Sequence, residues 1–178
     1  MDETPPLHPA EDGATVGLFW VSSNGAYVGA PAPEPAPNMV LTTSGPRVTG
    51  PQPREWTWSD LAGLEITEVP TRSAPQRWAT HAASFVAAAL DAWVPSSPTE
   101  MTVSVIAPDG TYRTPVYSGA AVAYSPREVA LSRRLISDFT QGTATPAVMT
   151  EWWEQTRPTK ILRSREREAV LALWLARV

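Results

Sequence analysis

Along this 178-residue chain the spacing of apolar positions switches between two residues and three to four, and the switches mark the elements. Residues 1–15 (MDETPPLHPAEDGAT) are poor in apolar side chains and interrupted by proline, which predicts a disordered tail. Val16–Val21 is apolar and aromatic, and Ala26–Gly29 brings Tyr27 and Val28. Asn24-Gly25 between these runs predicts a hairpin closed by a type I′ turn, because both residues tolerate a positive φ. PAPEPAP (31–37) reads as an extended, polyproline-like stretch, since each proline fixes φ and lacks a donor. Its plain role is a stiff connector; its functional alternative is a ligand for an aromatic groove. Asn38–Ser44 has strand composition, and Arg47–Gly50 is placed to pair back on it. Trp56 and Trp58, two apart, share a face if they lie in a strand. Leu64 and Ile66 then alternate with Glu65 and Thr67, a strand with one wet face whose pleat sets Glu65 and Glu68 on opposite sides.

Residues 76–93 change to helical spacing: Trp78, Ala82, Phe85, Val86, Leu90 and Trp93 form one apolar stripe, which Val94-Pro95 ends. Met101, Val103 and Val105 return to a period of two. Pro108-Asp109-Gly110 supplies a turn, and Tyr112, Thr114 and Val116 complete a hairpin over 101–117. Ser125-Pro126-Arg127-Glu128 is a capping box with proline at the first helical position, opening a helix that carries Leu131, Leu135, Ile136 and Phe139 and stops near Gly142. A second helix runs from Thr145-Pro146 to just before Pro158, and a third starts at Ser164. The pattern predicts an α+β fold. An antiparallel sheet of five to seven strands comes from 16–70 and 101–117, with helix 76–93 packed on it. A C-terminal region of two or three helices (125–178) packs on the α+β domain (16–124).

Composition narrows the chemistry. The chain has no cysteine, eight tryptophans, nineteen prolines and only two histidines, His8 and His81. Disulfides, thiolate metal sites and thiol nucleophiles are excluded. His8 lies in the tail, and His81 has no acid or histidine at helical spacing, so no metal site is expected. No G-x-S-x-G, Walker A or G-x-G-x-x-G sequence occurs, so no catalytic residue and no cofactor is assigned. The N-terminus lacks a basic start followed by an apolar run, and no window approaches the roughly 20 apolar residues of a membrane span. A soluble, cytoplasmic protein is expected. Arginine outnumbers lysine thirteen to one, as in GC-rich bacterial coding.

Charge and tryptophan then suggest where a partner binds. Residues 1–93 carry a net charge of −6 and residues 94–178 a net of +2. The basic excess gathers in Arg157, Lys160, Arg163, Arg165 and Arg167; it is either a solvated helix face or a patch for phosphates or an acidic partner. Trp152 and Trp153 point about 100° apart on a helix; either one lies in the core and the other at a groove or interface, or both pack under neighbouring helices. The AVLALWL segment (169–175), with Trp174, is apolar on every side and needs cover from this domain or from another chain.

Leu41-Thr42-Thr43-Ser44-Gly45, followed by Trp58-Ser59-Asp60-Leu61, resembles bacterial pleckstrin-homology-type domains over residues 16–70. The resemblance implies a curved sheet used as a binding platform without a cofactor. It does not extend to lipid head groups, because that stretch holds only Arg47 and Arg54 as cations. The chain departs from the family in having helix 76–93 before its last hairpin and at least two helices after it.

These readings converge on a non-catalytic binding or scaffold protein that acts through protein–protein contacts, with a protein partner or a second copy of itself. Trp152, Trp153, Arg157, Lys160, Arg163, Arg165, Arg167 and Trp174 are the candidate partner-binding residues. Two alternatives remain. One is a DNA-binding regulator using helices 125–157, although two glutamates and two tryptophans make a poor face beside phosphates. The other is an enzyme of unrecognised family.

Overall fold

The computed structural model describes residues 12–72, 99–120 and 123–177. Six short strands follow one another in sequence and in space as an antiparallel meander: β1 (Gly13–Val16), β2 (Phe19–Ser22), β3 (Gly25–Val28), β4 (Met39–Leu41), β5 (Pro46–Val48) and β6 (Arg54–Glu55). Three further strands, β7 (Gly63–Thr67), β8 (Glu100–Ala107) and β9 (Gly110–Tyr117), form a second antiparallel sheet. Helices α1 (Pro126–Thr140), α2 (Ala147–Thr156) and α3 (Ser164–Leu175) complete an α+β fold. The amphipathic segment 76–93 lies outside the described residues.

The period-two pattern places the core. In the first sheet Val16, Phe19, Val28, Met39 and Val48 pair across successive strands as one inward row, and Ala14, Val21, Ala26 and Leu41 make the next. In the second, Leu64 and Val105 face inward together, as do Ile66 and Val103. The three helices cover these rows. α1 packs on α3 and β7, α2 on β2 and β3, and α3 on β1. Aromatic pairs close the joints: Phe19 with Trp174 (6.4 Å between ring centroids), Trp152 edge-on to Trp174 (5.6 Å) and Trp58 with Phe139 (5.6 Å).

The 101–117 hairpin forms as β8 and β9, but it does not join the six-stranded sheet; β8 pairs with β7 instead. Among the described residues one isolated bridge joins the sheets, where the Ala30 N–H donates to the Tyr117 carbonyl at 2.7 Å. Gly29 permits that approach. Its φ is +72°, and a Cβ there would run into the Tyr117 carbonyl oxygen. β9 tolerates Pro115 because it is an edge strand. At the other edge, Arg133 of α1 donates to the Ile66 carbonyl at 3.0 Å.

Four local expectations change. Gly13–Thr15 belong to β1 and not to the tail, because Ala14 and Val16 fill the inner face. The Val16–Val21 run is split by a turn at Gly17-Leu18, so it supplies two strands. Ser22 pairs with Gly25, which makes Ser23-Asn24 the loop of the next hairpin in place of Asn24-Gly25. The proline segment is folded back on itself: Asn38 Oδ1 accepts from the Ala32 N–H (2.6 Å) and its Nδ2 donates to the Ala32 carbonyl (2.9 Å). That closed loop is not an extended polyproline ligand.

Candidate functional site

The eight residues expected to bind a partner divide into an interior set and a surface set. Trp152, Trp153 and Trp174 are all buried, at 4%, 4% and 0% exposure. Of the two readings of the adjacent pair, burial of both is the one observed, and neither lies at a groove. α2 sits in a corner, with β2 and β3 on one side and Trp174 of α3 on another, so two side chains 100° apart each meet a wall. Trp56 and Trp58 also part company. A 3-10 turn at Trp58–Asp60 sends Trp58 to Phe139, while Trp56 stacks near Tyr112 at 5.5 Å.

Arg167 is interior as well. It is 8% exposed and pairs with the fully buried Glu128, donating from Nε at 2.5 Å and from Nη2 at 3.3 Å. Glu128 also accepts from the Ser125 N–H (2.9 Å) and the Ser164 hydroxyl (2.7 Å), while Arg167 Nη1 reaches the Leu162 carbonyl at 2.8 Å. Burial pushes the Glu128 carboxyl up. The hydrogen bonds from Arg167, Ser125 and Ser164 and the charge of Arg167 outweigh it and hold the group below the usual carboxylate range. The predicted capping box is present, and its glutamate doubles as the anchor between α1 and α3. Arg167, Leu171 and Trp174 share the buried stripe of α3.

Arg157, Lys160, Arg163 and Arg165 form the surface set, on one continuous stretch from the end of α2 to the start of α3. Arg157 ends α2 in the left-handed region (φ +36°) and pairs with Glu154 at 2.6 Å. Lys160 pairs with Glu166 at 2.8 Å, and that contact, with the Arg163 N–H, lowers the Glu166 carboxyl. Arg163 and Arg165 have no carboxylate partner for their guanidinium groups among the described residues. In the middle stands Ile161, a residue the sequence pattern did not single out, 93% exposed. The exposed strip of α3 continues as Ala169, Ala172 and Leu173.

A second surface feature lies on the outer face of β7–β9. Glu65, Ser104 and Arg113 stand side by side across the three strands, with Thr67, Thr102 and Pro115 as the next row. They line an open cleft of about 550 Å³, joined by Glu68 and Glu100. Glu65 and Glu68 thus share a face, contrary to the pleat rule. Glu68 follows the end of β7 with φ +58°, which breaks the alternation, and its carboxylate accepts from the Thr102 hydroxyl at 2.6 Å.

The α1–α2 pair offers little to DNA. Met149, Trp152 and Trp153 of α2 are buried, and its exposed residues include Glu151 and Glu154. Among the described residues no group of three His, Cys, Asp or Glu side chains is arranged to hold a metal ion, and no helix is long and apolar enough to cross a membrane. Compared with known proteins, the chain matches no family model, no curated protein and no solved structure.

Proposed function

We propose that this protein is a non-catalytic binding module of the bacterial cytoplasm that docks an acidic protein surface through residues 157–165. The observation that carries the reading is Ile161, 93% exposed between Lys160 and Arg163, the most exposed large apolar side chain among the described residues. An exposed apolar residue flanked along the chain by cations has the makeup of a small contact centre with a polar rim. The cations steer a partner of opposite charge and set its orientation. Arginine suits the task because its planar fork takes a carboxylate in two hydrogen bonds.

DNA is the weaker candidate for the same cations, because the Glu151 and Glu154 side of α2 repels phosphates. Catalysis is weaker still: the carboxylates of the β7–β9 cleft are exposed and open to water. A labelled peptide of alternating glutamate and leucine is a direct probe, read by fluorescence anisotropy. Binding is expected, weakened several-fold by Ile161→Ala and by the pair Arg163→Ala and Arg165→Ala, and weakened again by salt. Absence of binding, or binding that ignores both changes, refutes the docking role. Preference for a DNA duplex over the peptide moves the assignment to nucleic acid.

A further inference from the structure

We infer that the acidic surface met by residues 157–165 is the β7–β9 cleft of a second copy of this chain. The inference rests on the docking role proposed above and names its partner. The two surfaces are complementary in charge. The cleft sets Glu65, Glu68 and Glu100 against a single guanidinium, Arg113. The segment presents Arg163 and Arg165, whose guanidinium groups have no carboxylate partner among the described residues. Among the described residues no ion pair within one chain joins the two surfaces.

Access is open on both sides: Ile161 is 93% exposed on the segment, and the cleft is an open depression of about 550 Å³. Arg163 and Arg165 fork onto Glu65 and Glu100, while Ile161 rests on the Pro115 ring and the methyl groups of Thr67 and Thr102. Glu68 already holds the Thr102 hydroxyl, which fixes one wall of the cleft. Because each copy carries both halves, the contact either closes reciprocally in a pair or repeats head to tail.

Charge reversal separates this arrangement from any other self-association. The full-length chain is studied by sedimentation velocity over a concentration series, beside two double variants, Glu65→Lys with Glu100→Lys and Arg163→Glu with Arg165→Glu. Wild type is expected to associate with increasing concentration. Each variant alone is expected to associate at least about tenfold more weakly, because like charges then face each other. An equimolar mixture of the two variants is expected to recover association, since the intact segment of one meets the intact cleft of the other. Circular dichroism of each variant confirms that the fold survives, which the exposure of all four positions allows. A wild type that stays monomeric at hundreds of micromolar, or a mixture that fails to recover, overturns the second-copy assignment. The acidic-peptide measurement is independent: peptide binding by a monomeric wild type leaves the docking role standing with a different partner.

Discussion

The hydroxyl of Ser132 accepts the N–H of Leu18 at 3.1 Å, across 114 residues of chain, and donates to the Glu128 carbonyl at 2.7 Å. One side chain thereby ties the β1–β2 turn to the middle of α1. Both residues are fully buried, so water cannot replace the bond. Ser132→Ala is expected to cost about 1–3 kcal/mol, the penalty for stranding a buried donor, measured as a fall in the urea midpoint.

Gly17→Ala is expected to be worse. The position has φ +56°, and a Cβ would collide with the Ser132 hydroxyl and approach Leu171 Cδ1 to 2.7 Å. Strain and displacement of two core contacts add, and a loss above about 2 kcal/mol is expected in the same titration.

Arg167 is a fold residue, and its substitution separates packing from binding. Arg167→Ala leaves the fully buried Glu128 without its counter-charge, at an expected cost of about 3–5 kcal/mol. Glu128→Met combined with Arg167→Met is expected to cost less than the two single changes added together, because neither charge is then stranded. Thermal denaturation of the three variants gives the comparison. Arg165→Ala, two residues away and exposed, is expected to leave the midpoint within about 0.5 kcal/mol of wild type.

The same pair sets the acid limb of stability. The folded Glu128 carboxyl titrates below its unfolded value of about 4.3, so its stabilisation is complete above that pH. It is lost as the pH falls through the lower, folded value. Wild type is expected to weaken steeply below about pH 4, and Glu128→Gln, already destabilised at neutral pH, to show a shallower fall over that range. Urea midpoints taken from acid to neutral pH test this.

Neighbours on α3 give the sharpest contrast. Trp174 is fully buried against Phe19 and Trp152, whereas Leu173 is 43% exposed. Trp174→Ala is expected to cost about 3–5 kcal/mol, and Leu173→Ala well under 1 kcal/mol, by chemical denaturation.

Where local chemistry decides the structure, the sequence was readable. The 101–117 hairpin and the capping box at Ser125 and Glu128 depend on turn residues and spacing within a few positions, and both stand where the pattern placed them. What a segment packs against was less accessible. Trp152 and Trp153 look like an interface on an isolated helix and become interior only because two other elements flank α2. Arg167 looks like part of a basic run until Glu128, 39 residues earlier, is brought beside it. The cleft over β7–β9 needed the left-handed turn at Glu68, and glutamate gives no hint of that conformation. Gly17 did carry a signal: a lone glycine inside an apolar run points to a bulge or a close approach, and here Ser132 and Leu171 press against it.

Trp174 stands four residues before the end of the sequence and fills the space above Phe19, near its beginning. During synthesis Phe19 therefore leaves the ribosome about 155 residues ahead of the side chain that covers it. Until residue 174 has emerged, the nascent polypeptide presents an open greasy surface, the kind that chaperones hold. A chain cut short within α3 therefore carries its packing defect at β2.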